Sequence, residues 1–186
     1  MLVPAYMRTE RLELRRLREE DLDALTQFFH NSECTKFLAP GFVYQVLVQG
    51  HLDHILAQWI TSYHIEDDWS SMVAVTLQDK DTPLGFVGIE KRAIDDFPRL
   101  VYCLMKANWG KGYATEAAGR MLKFVLEGTT WARVEALVDP RNKASVKVAE
   151  NLGMRFERMV HDSEFPDDQM LYAIKRASPP GADKDL

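Results

Sequence analysis

The sequence predicts one mixed α/β domain, with a central, mostly antiparallel, twisted sheet of about seven strands and flanking helices. Three observations carry that reading. Residues 71–91 hold two apolar runs separated by the polar turn Asp79-Lys80-Asp81-Thr82-Pro83, the pattern of a β-hairpin. Residues 100–126 pass from an apolar run through Gly110-Lys111-Gly112 into a helical stripe, and residues 134–152 repeat that strand–loop–helix order. The chain has 186 residues, 46% hydrophobic and 27% charged, which suits a single globular domain and excludes a disordered, collagen-like or disulfide-stapled chain.

In chain order, residues 11–17 (RLELRRL) alternate apolar and charged side chains, as a half-exposed strand does, with Leu12 and Leu14 facing in. Residues 19–30 change period: Leu22, Leu25, Phe28 and Phe29 form the stripe of an amphipathic helix, with Asp21 and Asp23 at its positive end. A second helix is expected over 44–63, burying Leu47, Leu52, Ile55, Leu56, Trp59 and Ile60, although Gly50 opposes it. Strands follow at 71–78, 84–91 and 100–105, then a helix over 115–126 with Ala118, Met121, Leu122 and Val125 inward. A strand at 134–138, a helix over 144–152 stopped by Gly153, and strands at 154–159 and 170–175 complete the domain, taken as 1–177. The tail 178–186, with Pro179-Pro180-Gly181 and alternating charge, is expected to be disordered.

A net charge of -5 argues against a nucleic-acid surface. No stretch is long and apolar enough to span a bilayer, and no signal peptide is visible at the start. Cys34 and Cys103 lack metal-type spacing, and His51 and His54 have no third ligand to join them. The expectation is a cytoplasmic protein without metal, membrane or nucleic-acid partners.

The chemistry concentrates in Trp109-Gly110-Lys111-Gly112-Tyr113-Ala114-Thr115-Glu116-Ala117. Two glycines one residue apart let the backbone turn and aim its N–H groups one way. The helix beginning beside Thr115 adds unpaired N–H groups and a positive dipole end, together an anion site for a phosphate or pyrophosphate. The alternative is a strand-to-helix turn in which the glycines serve geometry alone. A Walker loop is excluded because Gly112 follows Lys111, and a dinucleotide fingerprint because Thr115 stands where a third Gly or Ala belongs. A second loop, Asp139-Pro140-Arg141-Asn142-Lys143, ends the next strand; Asn142 either caps the helix after it or meets a ligand shared with the glycine loop.

These blocks make the sequence resemble the GNAT superfamily of acyl-CoA N-acyltransferases, and within it the ribosomal-protein N-terminal acetyltransferases of the RimJ/RimL type. Thr9-Glu10-Arg11-Leu12-Glu13-Leu14-Arg15 resembles the opening strand of that family. WGKGYATEA from Trp109 to Ala117 resembles its pyrophosphate loop, with Trp109 where other branches carry Gln or Arg. Asn142-Lys143-Ala144-Ser145, continuing to Asn151-Leu152-Gly153-Met154, resembles its Asn-x-x-Ser helix.

The resemblance implies the GNAT fold, with a splay between the fourth and fifth strands, and acetyl-CoA as acyl donor without a metal. The backbone of Cys103 and Leu104 would pair with the pantetheine arm, with an N–H near Leu104 on the oxyanion. The backbone of Gly110, Lys111, Gly112, Tyr113, Ala114 and Thr115 would hold the pyrophosphate, and Asn142 the pantetheine amide region. Lys111, Arg141 and Lys143 are nearby cations, either phosphate partners or plain solvated charges. The tyrosine that many members carry seven residues after the Asn is Ala149 here, which leaves Ser145 as the candidate acid. The glutamate three residues before the strand Tyr is replaced by Arg99, which leaves Glu90 as the candidate base. The implied activity is direct acetyl transfer to a primary amine, on a protein N-terminus or on a small amine or amino-acid derivative; an acyl-CoA-binding module without turnover is the other reading. The resemblance also allows a homodimer.

Overall fold

The sheet is built from hairpins up to its fifth strand and from crossovers after it, and the change of connection creates the site. The computed structural model describes residues 3–63, 69–92 and 95–176; the expected disordered tail lies outside them. The strands are β1 (Tyr6–Arg8), β2 (Leu12–Arg16), β3 (Trp69–Leu77), β4 (Gly85–Lys91), β5 (Arg99–Leu104), β6 (Arg133–Val138), β7 (Arg155–Val160) and β8 (Gln169–Lys175). They form one eight-stranded sheet in the order β1-β2-β3-β4-β5-β6-β8-β7. Every neighbouring pair is antiparallel except β5 and β6. The eighth strand, absent from the expectation of about seven, is the three-residue β1.

Alternation along the strands sorts side chains into two cores. Leu12, Leu14, Val73, Val75, Val87, Ile89, Val134, Ala136 and Val138 face α5 (Tyr113–Gly128) and α6 (Lys143–Asn151). Met72, Ala74 and Phe86 face the other way, against α1 (Leu22–Phe29), α3 (Pro40–Leu47) and α4 (Leu52–Thr61). A one-turn helix, α2 (Ser32–Thr35), links α1 to α3, and Asn31 caps it by accepting from the Glu33 amide. The helix expected over 44–63 is two helices. Gly50 sits between them at φ 67°, a left-handed conformation that ends one and lets the next start. Trp59 and Tyr63 are core residues, 8% and 5% exposed. No described helix is long and apolar enough to cross a membrane.

One ion pair is buried within this frame. The Arg15 guanidinium makes two 2.8 Å bonds to the Asp21 carboxylate, and both side chains are 4% exposed. Arg15 also donates to Asp81 at the β3–β4 turn. The pair thus ties β2, the start of α1 and that turn together. Removing Asp21 leaves the buried Arg15 guanidinium with only the exposed Asp81 carboxylate to offset it and strips its two in-core hydrogen bonds. Asp21→Ala should therefore lower the unfolding free energy by about 3–5 kcal/mol in chemical denaturation; a loss below about 1 kcal/mol would place the pair in water.

Candidate active site

Strand β5 enters its parallel pairing with β6 at Arg99, opposite Glu135, and the Glu135 amide donates to Pro98 O at 2.9 Å. No later residue of β5 is paired with β6, so the two strands splay. The opposite edge of β5 stays in register with β4 from Arg99 to Leu104, and the Met105 amide continues the ladder to Leu84 O. Because backbone groups alternate along an antiparallel ladder, Cys103 turns its amide and carbonyl toward β4, like Met105. Tyr102 and Leu104 turn theirs into the splay. Cys103 was expected beside Leu104 as a backbone partner of a ligand, but its amide and carbonyl face β4, and it is Tyr102 and Leu104 whose backbone groups face the splay. The Leu104 carbonyl is already taken by the Trp109 indole N–H at 2.7 Å, which leaves the Leu104 amide. Burial pushes the Cys103 thiol up to about 12, so it stays a neutral thiol.

The glycine loop closes the top of the splay. Gly110 and Gly112 have φ of 73° and 80°, and α5 begins at Tyr113 with Gly112 as N-cap and no side chain capping it. The amides at the start of this helix therefore lack intrahelical acceptors, and they sit at the positive end of a 16-residue helix. The Lys111 ammonium is spent on Ala107 O at 2.8 Å, so the positive character of the loop comes from amides. Arg141 is paired with Asp139 and Asp167, whereas Lys143 is exposed.

Glu116, which the dipole alone would explain, has a second task. Its carboxylate accepts from Thr9 Oγ1 at 2.5 Å, from the Arg11 amide at 2.9 Å and from Arg11 Nε at 2.7 Å. Arg11 also donates to the Lys111 carbonyl at 3.0 Å and lies over the Tyr113 ring at 4.7 Å. The β1–β2 turn thereby pins the glycine loop from outside. Partial burial works against the charge of Glu116, but the bonds from Thr9 and Arg11 prevail and hold its pKa below the ordinary value.

On the far side of the splay, Asn142 caps α6 by accepting from the Ser145 amide at 3.1 Å through Oδ1, which leaves its Nδ2 free to donate. The Ser145 hydroxyl is 2.9 Å from the hydroxyl of Tyr102. Glu90 lies elsewhere. It stands next to last in β4, opposite Arg99 and on the Phe86 face of the sheet, whereas Tyr102 packs with the α5 and α6 core. Ser145 and Glu90 thus lie on opposite faces of the sheet, with Glu90 level with the paired start of β5 and β6.

Beside Glu90 is a charged cluster that has no local motif in the sequence. Arg92 bonds Asp95, Asp162 and Glu164, and Arg99 bonds Asp95 and Asp162. The cluster joins the β4–β5 turn to the β7–β8 loop. Burial disfavours the Asp162 charge, yet hydrogen bonds from Arg92 and Arg99 bring its pKa down to about 2. For Glu90, burial and the nearby Glu164 carboxylate outweigh Arg92 and Arg99, and its pKa is raised.

The Glu116 anchor has a definite pH sign. A carboxylate with a depressed folded pKa contributes stability above its unfolded pKa of about 4.3 and loses it as pH falls through the folded value. Glu116→Ala should speed amide hydrogen exchange across residues 117–120, the first hydrogen-bonded turn behind the loop, by about tenfold or more at pH 7. The wild type should approach the variant on acidification, and equal exchange at pH 7 would refute the anchor.

Known proteins share this architecture. The chain is 28% identical over 157 residues to a Bacillus licheniformis protein named uncharacterized N-acetyltransferase p20, covering 84% of this chain and 85% of that one. A GNAT-family acetyltransferase structure from Bacillus anthracis superposes with a TM-score of 0.76 at 22% identity, over 92% of this chain and 98% of that one. RimL, the ribosomal L7/L12 alpha-N-protein acetyltransferase solved with coenzyme A, superposes with a TM-score of 0.73 at 17% identity, over 94% and 98%. The family model described as acetyltransferase (GNAT) domain matches residues 11–155, most of the chain, and with the splayed sheet beneath that match the protein belongs to the GNAT acetyltransferase family.

Proposed function

We propose that this acetyltransferase uses acetyl-CoA to acetylate a primary amine directly, with a protein N-terminus as the acceptor class. The observation that carries the donor half is the uncapped start of α5 behind Gly110 and Gly112, opening beside unpaired backbone of β5. The amides from Gly110 to Thr115 hold the pyrophosphate. Tyr102 and Leu104 offer the pantetheine arm a strand to pair with, and Asn142 Nδ2 donates to one of its carbonyls. The Leu104 amide faces the thioester oxygen as it gains charge.

The acceptor amine must arrive neutral. An α-amino group has a pKa of about 8 against about 10.4 for lysine, so an N-terminus asks less of the base. Glu90, the proposed base, sits beside acidic and basic neighbours that are themselves fully engaged. The α-amino protein acceptor in the name of RimL supports the same reading. As the amine attacks from the Glu90 face, the sulfur leaves toward Ser145 on the other.

Calorimetry with coenzyme A tests the donor half. Gly112→Val forces a β-branched residue to φ 80°; it should abolish binding while a thermal melt shows the fold retained, and unchanged binding would refute the cradle. Thiol release from acetyl-CoA across a panel of short peptides, free amino acids and polyamines tests the acceptor. Peptides should be the fastest substrates; release with polyamines alone would make it a small-amine enzyme, and CoA binding without release on any amine would leave an acyl-CoA-binding module. The raised pKa of Glu90 sets the pH sign. Only its deprotonated form accepts a proton, so kcat/KM should climb with pH through a limb above the ordinary carboxylate value of about 4.3. Glu90→Gln should remove that limb and leave only the rise set by the amine's own pKa of about 8, and a carboxylate limb that survives would assign the base elsewhere.

A further inference from the structure

Tyr102 reaches from β5 across the splay to the start of α6. Its hydroxyl is 2.9 Å from Ser145 Oγ and 3.2 Å from the Ser145 carbonyl oxygen. Packing alone does not demand that hydroxyl, since a phenyl ring would fill the same place in the α5–α6 core. Nor does Ser145 need it. A serine in the first turn of a helix commonly folds its hydroxyl back on a carbonyl three or four residues earlier, and for Ser145 those belong to Asn142 and Arg141. Tyr102 competes with that back-bonding and draws the serine hydroxyl toward the splay.

We propose that Tyr102 is a positioning residue for the transfer: its O–H donates to Ser145 Oγ, which leaves the serine proton aimed at the departing sulfur. The proposal rests on the acetyl transfer argued above. As the tetrahedral intermediate collapses, the C–S bond breaks and its electron pair goes to sulfur. The thiolate then accepts from the Ser145 O–H, whose oxygen accepts from the Tyr102 O–H. The proton that completes the CoA thiol comes from the acceptor nitrogen, which loses one as the amide forms, so Tyr102 and Ser145 both end neutral. Burial, the largest influence on Tyr102, pushes its pKa up to about 12. It therefore serves as an oriented donor rather than a source of protons. Two hydroxyls in line polarise one another, and the negative sulfur fixes the direction in which both point.

A double-mutant cycle reads this role, using the amine of the panel with the highest kcat. Tyr102→Phe should lower kcat by roughly 10- to 100-fold, with the KM for acetyl-CoA and the Kd for CoA within about twofold of wild type. If Tyr102 acts through Ser145, Ser145→Ala/Tyr102→Phe should be no slower than Ser145→Ala alone. Multiplying losses, or an unchanged kcat in Tyr102→Phe, would overturn the proposal. Replacement of Tyr102 by 3-fluorotyrosine keeps the shape and strengthens the donor, which guards against a folding defect in the phenylalanine variant; kcat should move while the Kd for CoA does not, and a fixed kcat again overturns it. A wild type that binds CoA but releases no thiol on any amine would remove the transferase reading itself. Turnover with an indifferent Tyr102 removes this inference alone.

Discussion

Strands β5 and β6 are parallel neighbours joined at their starts, where Arg99 stands opposite Glu135, and released from each other after that pair. Backbone groups released in the middle of a sheet must find other partners, because a buried amide without one is costly. Trp109 answers for one of them by donating its indole N–H to the Leu104 carbonyl. Tyr102 answers at side-chain level, spanning the gap to Ser145. The remaining groups of β5 form a strand edge in the interior of the sheet, which an extended ligand can complete as another strand would. The β4–β5 turn and the β7–β8 loop are locked together below by Arg92, Arg99, Asp95 and Asp162, so the splay opens from a fixed base.

The sheet also separates two kinds of chemistry. Glu90 lies on the face covered by α1, α3 and α4, where burial and Glu164 favour its protonated form. Ser145 and Tyr102 lie on the face covered by α5 and α6, among apolar side chains, where neutral hydroxyls are favoured. The Glu90 carboxyl and the Tyr102–Ser145 hydroxyl pair therefore meet different surroundings. A net charge of -5 does not preclude a local positive field. The unpaired amides at the start of α5 make one, and its reach is short.

Sequence patterns read well where one short segment determines its own conformation. Gly110 and Gly112 announced a turn into a helix, Asn142 announced a cap, and the alternation in 71–91 announced a hairpin; each holds in the structure. Gly50 was legible as a weakness in a helix over 44–63, and its left-handed φ turned that weakness into a break. What escaped depends on partners distant in sequence. Asp162 has no local motif, and its importance comes from Arg92 and Arg99 some 70 and 63 residues away. The placement of β8 between β6 and β7 follows from strand pairing, to which local periodicity is blind. Tyr102 carried a faint signal, a polar tip on an inward-facing aromatic, but its partner is 43 residues on. Which residues of β5 face the splay required the register with β4, and that moved the exposed backbone from Cys103 to Tyr102 and Leu104.

Glu116 shows how two distant blocks come to be parts of one device. Thr9 and Arg11 belong to the opening strand segment, and the glycine loop lies about a hundred residues later, yet one carboxylate accepts from both residues of the first while standing in the first turn of the helix that follows the second. The arrangement meets two electrostatic demands at once. Left alone, a carboxylate near the positive end of α5 would weaken that end as an anion site, because it would partly neutralise the amides. Arg11 offsets this charge at 2.6 Å, and its guanidinium turns a further N–H to the Lys111 carbonyl, holding the loop from its outer side. The carboxylate fixes the loop while the guanidinium cancels its charge, so the amides from Gly110 to Thr115 keep their positive character. Loss of either partner would do more than loosen the loop. Without Arg11 the uncompensated Glu116 would cancel much of the positive field of the loop amides, and without Glu116 the arginine would have no anchor beside it.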